Sequence, residues 1–133
     1  MDYLLFLDDD RDRHAQFRAR VEALGYRERH RLIYVFTAAE AIRVLRDHEG
    51  EIAQVFLDHD LCEDDHWVVP GAPSRVPTGM AVVDHIVTMR RLPPVITVHS
   101  FNYPAAVEMC ARLSALPGVA VKRIPFLQLL DQL

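Results

Sequence analysis

The sequence has few cysteines, no long apolar run and no excess of positive charge. Its two cysteines, Cys62 and Cys110, lie far apart without the spacing of metal ligands, so they do not suggest a disulfide framework. The first apolar run, Tyr3 to Leu7, ends in three aspartates and is too short for a signal sequence or a membrane span. These features predict a soluble protein of the reducing cytoplasm with no membrane partner.

The formal net charge of −4 argues against a protein that follows long nucleic acid, because such a protein needs a basic surface. Arginines do cluster, and for most of them a solvated helix face explains the charge. A small phosphorylated, nucleotide-like substrate or an RNA terminus is still compatible, since a terminus needs only the few phosphate contacts that local arginines supply. The clusters are Arg11, Arg13, Arg18 and Arg20, followed by Arg27, Arg29 and Arg31.

The length of 133 residues and a hydrophobic share of 50% fit a single globular domain over residues 1–133. Apolar runs alternate with helical stripes, which predicts an α/β fold with a doubly wound, five-stranded parallel sheet in the flavodoxin-like order 2-1-3-4-5. The predicted strands are 3–7, 32–36, 52–57, 94–99 and 119–124. The predicted helices follow Asp10 and the capping box at 37–40, and then cover 81–89, 104–113 and 126–130.

A long loop at about 60–78 interrupts this alternation and contains three prolines and a glycine. Loops of this length in compact domains are usually functional or mobile, so it is a candidate lid. Its acidic stretch, residues 63–66, suits either a second metal site or, as the commoner case, a solvated loop. Its apolar stretch, residues 67–69, would either cover a nucleobase or anchor the loop.

Acidic residues follow two of the predicted strands at the edge where parallel sheets bind ligands. Asp8 and Asp9 end the first strand and Asp58 ends the third. Carboxylates that converge there repel one another unless a cation neutralises them, and hard ions such as Mg²⁺ or Mn²⁺ prefer oxygen ligands. Capping of the next helix explains Asp10 but not the convergence of the other three. The sequence therefore predicts a divalent metal site formed by Asp8, Asp9 and Asp58.

Two histidines, His59 and His99, are predicted at the same edge. Imidazole titrates near neutral pH, so these side chains suit proton transfer or metal ligation, while packing in the core or exposure on the surface is the alternative. Ser100 and Asn102 follow the fourth strand and suit phosphate binding beside the backbone N–H groups of the next helix, with local helix capping as an equal alternative for Asn102 before Pro104. Thr78 and Gly79 are either a helix start or a close approach to ligand.

The chain resembles the receiver domain of two-component signalling along nearly its whole length. The resemblance rests on the apolar strand into Asp8 and Asp9, on the strand ending at Asp58, and on Pro125-Phe126 after the last strand. In receivers the paired acids bind magnesium and the third-strand aspartate accepts a phosphoryl group. Two positions differ, because His99 replaces a small hydroxyl residue and Ile124 replaces the lysine before the final proline. Those differences argue against a signalling role.

The motifs Leu7-Asp8-Asp9, Leu57-Asp58-His59-Asp60-Leu61 and Val98-His99-Ser100-Phe101-Asn102 resemble more specifically a divergent branch, the cyclic-phosphate processing receiver domain family. That resemblance implies a phosphoesterase acting on cyclic phosphates, such as those formed when RNA or ADP-ribose derivatives are processed.

The mechanism that follows is metal-assisted hydrolysis of a cyclic phosphodiester at the metal site. His59 and His99 would share the roles of general base and general acid, and Arg11, Ser100 and Asn102 would position the substrate. A variant makes Asp58 a transient nucleophile. The alternative is a non-catalytic receiver-like module that binds a nucleotide or a partner, or that is phosphorylated on Asp58.

Overall fold

A computed structural model describes residues 2–61 and 78–133 of the protein. The predictions of a lid, a second acidic metal site and an apolar cover fall on residues 62–77 and lie outside the described residues, as does Cys62.

The described chain contains five strands and five α-helices in alternation. The strands are β1 Asp2–Leu7, β2 His30–Val35, β3 Ile52–Leu57, β4 Val95–Val98 and β5 Ala120–Arg123. The helices are α1 Arg11–Ala23, α2 Ala38–Asp47, α3 Gly79–Ile86, α4 Tyr103–Ser114 and α5 Phe126–Gln132, with a short 3-10 turn at Tyr26–Glu28.

All five strands are parallel and lie in the order β2-β1-β3-β4-β5, which confirms the predicted fold. The chain begins near the centre of the sheet, moves to the β2 edge and then crosses to the β5 edge. The strand order therefore reverses beside β1, which brings the carboxyl ends of β1 and β3 together.

Several predicted boundaries differ from the structure, and the starts of the third helix and the second strand have clear causes. The third helix starts at Gly79 instead of Ala81, because the Thr78 hydroxyl accepts a hydrogen bond from the backbone N–H of Met80 and caps the helix earlier. It ends at Ile86 instead of Met89. The second strand starts at His30, two residues before the apolar run, since it pairs with β1 from Asp2 onward.

The sheet separates two apolar layers according to strand parity. Leu5 and Leu7 face the layer of α2, α3 and α4, whereas Phe6 and Phe56 face α1 and α5, where Phe126 joins them. Side chains alternate along a strand, so the residues that continue this second set beyond the strand ends point toward α1 as well. Asp8, Asp58 and His99 have that parity, and the fold therefore directs them to one place.

No helix within residues 2–61 and 78–133 combines the length and the apolar character that crossing a membrane requires.

Candidate active site

Three carboxylates meet at the carboxyl ends of β1 and β3, as the sequence predicted. The backbone N–H of Asp8 donates to Val35 O (3.3 Å) and that of Asp58 to Leu7 O (3.2 Å), so strand pairing fixes the chain up to both acids. Asp8, Asp9 and Asp58 each offer one carboxylate oxygen, and these atoms lie within 4.8 Å of one another. Asp8 and Asp58 are buried, which leaves little water to stabilise their charges.

An arginine of the first helix lies among these carboxylates. Arg13 Nε donates to Asp8 Oδ2 (2.8 Å) and Nη2 donates to Asp8 Oδ1 (2.9 Å), a two-point contact. Nη2 also lies 3.5 Å from Asp9 and 3.6 Å from Asp58. The sequence assigned the positioning arginine to Arg11, but Arg11 is the exposed first residue of α1 and the guanidinium in this bidentate contact belongs to Arg13.

Burial raises the pKa of Asp58 to about 7, and the charge of Asp8 adds to the increase, while Arg13 and the backbone N–H of His59 oppose it. Even with Arg13 present, ionising Asp58 beside the other two acids remains unfavourable. A hard divalent cation relieves that cost with the oxygen ligands it prefers. The donor set therefore fits Mg²⁺ or Mn²⁺.

His99 lies behind Asp8 and is 1% exposed. Its ring stacks on Phe6 with 5.1 Å between centroids and an angle of 6° between planes. Nδ1 is 3.7 Å from Asp8 Oδ2, and neither ring nitrogen makes a hydrogen bond among the described residues. Burial lowers the pKa of His99 to about 4, although the charge of Asp8 opposes this change. His99 is therefore a neutral, packed imidazole at neutral pH.

His59 occupies the open side of the same edge. Its Nδ1 lies 2.7 Å from Asp60 Oδ1, and since a carboxylate can only accept, Nδ1 carries the proton. The same Asp60 oxygen accepts from Asn102 Nδ2 at 3.2 Å. These contacts with His59 and Asn102 lower the pKa of Asp60. In the neutral ring the lone pair then lies on His59 Nε2, on the side away from Asp60.

The polar side chains after β4 accept hydrogen bonds from nearby backbone N–H groups. Asn102 Oδ1 accepts from the backbone N–H of Ala105 (3.2 Å) and caps α4, and Ser100 Oγ accepts from the N–H of Asn102 (3.0 Å). The capping alternative for Asn102 is confirmed, while substrate contacts by Ser100 and Asn102 stay predictions. Gly79 approaches the backbone after β3, where a Cβ would collide with the carbonyl oxygen of Asp58. Helix α3 therefore supports the Asp58 turn directly.

Sequence reasoning missed two residues of the first helix, Arg13 and His14. His14 is 5% exposed, and its Nε2 lies 2.7 Å from the carbonyl oxygen of Asp8. The carbonyl is an acceptor, so Nε2 donates and holds the turn after β1. A signal was present, since His14, Phe17 and Val21 follow helical spacing on the buried face of α1.

The receiver's lysine position is apolar in the structure. Ile124 packs against the apolar layer under α5. The two basic residues before Ile124 lie elsewhere: Lys122 is exposed, and the Arg123 guanidinium lies 4.7 Å from the Tyr103 ring centroid. Among the described residues, the cation that contacts Asp58 is Arg13.

Solved structures similar to this chain include receiver domains and response regulators. The signal receiver domain of the putative LuxO repressor protein from Vibrio parahaemolyticus is 16% identical, with a TM-score of 0.61 over 98% of this chain and 85% of that chain. The phosphorylated cyanobacterial phytochrome response regulator RcpA is 15% identical, with a TM-score of 0.63 over 98% and 87%. The Mn²⁺-bound response regulator Rcp1 is 14% identical, with a TM-score of 0.59 over 93% and 81%. At such identities the likeness shows the fold.

A search of curated proteins finds no match. The family model described as the cyclic-phosphate processing receiver domain matches residues 3–115, a range that contains the three carboxylates, both histidines and the polar turn after β4. The chain therefore belongs to the cyclic-phosphate processing receiver domain family.

Proposed function

We propose that the protein is a metal-dependent phosphoesterase that hydrolyses a cyclic phosphate on a nucleotide, an RNA end or an ADP-ribose derivative. The observation that carries the proposal is the meeting of Asp8, Asp9 and Asp58 within 4.8 Å, with the residue after Asp58, His59, oriented by Asp60. Membership of a cyclic-phosphate processing family supports the choice of substrate class.

Asp8, Asp9 and Asp58 would hold Mg²⁺ or Mn²⁺ through one oxygen each. A divalent ion in this place supplies Lewis-acid polarisation of the phosphoryl oxygens and lowers the pKa of a bound water. The carboxylates are preorganised for the metal ion, because strand hydrogen bonds hold Asp8 and Asp58 in place before any ligand arrives.

Arg13 supplies a second positive charge at the site. Its guanidinium presents a planar set of N–H donors, which suits phosphate oxygens as well as the carboxylate of Asp8. The side chain is partly exposed and lies 5.6 Å from the ring centroid of Phe101, so it reaches the open side of the pocket. We assign Arg13 to neutralise charge that develops on the phosphoryl group, whereas the sequence analysis assigned Arg11 to position the substrate.

Proton transfer is assigned to His59. A general acid or base needs a nitrogen within hydrogen-bond reach of the substrate, and His59 Nε2 lies on the partly exposed side of the ring while Asp60 fixes Nδ1–H. His99 is enclosed by Phe6 and Asp8 and is 1% exposed. His99 is therefore assigned to position Asp8 by packing, and His59 to accept a proton from water and return it to the leaving alkoxide.

The alternative function, a non-catalytic module phosphorylated on Asp58, has less support from the residues around the acids. Ile124 and His99 occupy the positions of the receiver's lysine and hydroxyl residue, so those two phosphoryl contacts are missing. Without them a phosphoryl group on Asp58 lacks the charged partner that links its arrival to a conformational change.

Phosphorus NMR of the purified protein tests the proposal. The substrates are 2′,3′-cyclic nucleotides and ADP-ribose 1″,2″-cyclic phosphate, each with Mg²⁺ or Mn²⁺. Ring-opened phosphomonoester that requires metal, and that disappears in Asp58→Asn with the fold intact, is the expected result. No ring opening under any condition, together with phosphate uptake from acetyl phosphate, would establish the signalling alternative instead.

A further inference from the structure

A second concave site lies on the edge of the sheet, between β2 and the later turns of α1. Its volume is about 440 Å³, and it is lined mainly by Arg18, Glu22, Arg27, His30, Arg31 and Tyr34. The site is separate from the three carboxylates, and the proposed hydrolysis does not use these residues. Its volume falls within the range of about 300–1,000 Å³ typical of small-ligand pockets.

This arginine pocket is positively charged in a chain whose formal net charge is −4. Three guanidinium groups line it against one carboxylate, that of Glu22, which lies 3.4 Å from Arg27 with both side chains largely exposed. An exposed pair of this kind is weak, so Arg27 keeps most of its capacity to bind another anion. The concentration of positive charge points to a ligand with more than one negative charge.

Tyr34 lines the pocket together with the arginines, while Tyr26 and Tyr3 lie beside it and contact His30 and Arg31 of its lining. A guanidinium that lies over a ring uses the face of its plane, so N–H donors at its edge can meet phosphate oxygens. Arg31 spends one of these donors on the Tyr3 hydroxyl, at 3.2 Å. Interleaved basic and aromatic side chains are typical of surfaces that bind single-stranded nucleic acid. The distances from guanidinium carbon to ring centroid are Arg18 over Tyr34 4.3 Å, Arg29 over Tyr26 5.2 Å and Arg31 over Tyr3 5.7 Å.

Two polar atoms in the lining are shielded from solvent without a hydrogen bond among the described residues. They are the hydroxyl of Tyr34 and Nδ1 of His30. Buried polar groups normally have partners, so the wall of this pocket contains two groups that the described residues leave unsatisfied. Both residues line the same pocket as Arg18 and Arg31.

A continuous row of contacts joins the arginine pocket to the acidic site. His14 donates to the carbonyl oxygen of Asp8 at 2.7 Å, and its ring centroid lies 6.0 Å from that of Tyr34. Tyr34 in turn lies under the guanidinium of Arg18. Arg18 is about one helical turn, roughly 6 Å, beyond His14 along α1. A strand with one phosphate at the acids and further phosphates along α1 as far as Glu22, about 12 Å beyond His14, would contact both sites.

We propose that the arginine pocket binds backbone phosphates of a short single-stranded RNA whose cyclic-phosphate end lies at Asp8, Asp9 and Asp58. The inference rests on the proposed function and makes its substrate an RNA end instead of a free nucleotide. A short strand fits the net charge, because it needs contacts from only a few arginines.

Fluorescence anisotropy of 5′-fluorescein-labelled hexauridylate tests the assignment. Titrations in EDTA prevent metal-dependent turnover, so binding is measured even if no hydrolysis occurs. The double variant Arg18→Gln/Arg31→Gln is compared with Arg43→Gln/Arg46→Gln, which removes the same charge from exposed positions on α2. Circular dichroism establishes that both variants are folded.

Loss of two phosphate contacts should reduce the slope of log K against log salt by about 1.4, which at 0.1 M salt corresponds to roughly 25-fold weaker binding. The α2 control should bind within about twofold of the unmodified protein, since exposed charges away from the ligand are screened. Hydrolysis of 2′,3′-cyclic uridine monophosphate should be unchanged by the pocket substitutions, because that substrate has no further phosphates.

Equal affinity of both double variants for hexauridylate would overturn the assignment. So would an equal loss in affinity for uridine monophosphate, because the pocket would then bind small anions and not a strand. Failure of the proposed function has a different signature, namely no ring opening of any cyclic phosphate while the salt-dependent binding of hexauridylate persists.

Discussion

The acidic edge, formed by the residues that follow β1, β3 and β4, has a buried inner half and a partly exposed outer half. Each half contains one histidine, and the two histidines lie in opposite environments. On the inner half His99 is 1% exposed, stacked on Phe6, and has its pKa lowered to about 4. On the outer half His59 is partly exposed and has Nδ1 fixed by Asp60 at 2.7 Å. Only the outer histidine combines an oriented tautomer with access to a substrate. Proximity to the carboxylates therefore does not by itself identify the residue that transfers protons.

The inner half has a different function in this comparison. Burial fixes the positions of Asp8, Asp58 and His99, and it raises the free energy of the charged Asp58 carboxylate, which favours binding of a cation. The outer half supplies groups that move protons. Substitutions in the inner half should therefore act mainly on stability and metal binding, and substitutions in the outer half on turnover.

The largest expected effect is on turnover when the outer histidine is removed. His59→Ala should lower kcat about 10²- to 10⁴-fold, the usual contribution of general acid–base catalysis, while metal affinity stays near that of the unmodified protein. His99→Gln should lower kcat less than about tenfold and should reduce the melting temperature instead, because it disturbs a packed ring.

Steady-state hydrolysis of a 2′,3′-cyclic nucleotide and thermal unfolding measure these two quantities on the same samples. His48→Ala is the control, since His48 lies at the opposite end of the sheet after α2. The reverse ranking, with turnover lost in His99→Gln and retained in His59→Ala, would transfer the catalytic role to the inner histidine.

The second prediction concerns the pH dependence of folding stability without metal. The pKa of Asp58 rises from 3.8 to about 7 on folding, so the folded state holds the extra proton and stability falls as pH rises between those values. The pKa of His99 falls from 6.5 to about 4, so the unfolded state holds the extra proton and stability falls as pH falls through that range. Between about pH 4.5 and 6 the two contributions nearly cancel.

Single substitutions should therefore reveal opposite slopes of the free energy of unfolding against pH. Relative to the unmodified protein in EDTA, Asp58→Asn should gain stability as pH rises from 4.5 to 6, and His99→Gln should lose it, each by about 1.4 kcal/mol per pH unit. Urea unfolding at three pH values measures both slopes. Parallel pH profiles for the two variants would show that burial does not set these pKa values.

The smallest expected effect concerns the residue that orients His59. Asp60→Asn keeps the size of the side chain but weakens the hydrogen bond that it accepts from His59 Nδ1–H. Because Asp60 is 65% exposed, the loss of kcat should be only roughly tenfold. Stability should change little. Asp131→Asn, an exposed substitution in α5, is the control for charge. An Asp60→Asn enzyme as active as this control would show that His59 needs no orientation by Asp60.

Much of the fold follows from local pattern. Continuous apolar runs identify buried parallel strands, and helical stripes and caps identify the connections, so strand order and the meeting of Asp8, Asp9 and Asp58 were predictable. The same rule placed His59 and His99 at one edge. It did not predict how buried either side chain is, because the exposure of a residue beyond a strand end depends on which helix covers it.

The contributions of Arg13 and His14 were harder to predict. An arginine in the first turn of a helix usually faces water, and the two-point contact with Asp8 depends on the tertiary placement of α1. Helical spacing would have placed His14 in the buried stripe with Phe17. Its partner is a backbone carbonyl that forms no sequence pattern.

The most direct test of the central claim is a titration of the protein with Mn²⁺ followed by electron paramagnetic resonance between pH 6 and 8. We expect one ion per chain, with affinity that weakens about tenfold per unit below pH 7, because a proton on Asp58 competes with the metal. Asp58→Asn should weaken binding by more than about 100-fold, since substitutions of residues that merely support ligands already cost 10- to 100-fold. Absence of stoichiometric binding, or equal affinity in Asp58→Asn, would contradict a metal site formed by Asp8, Asp9 and Asp58.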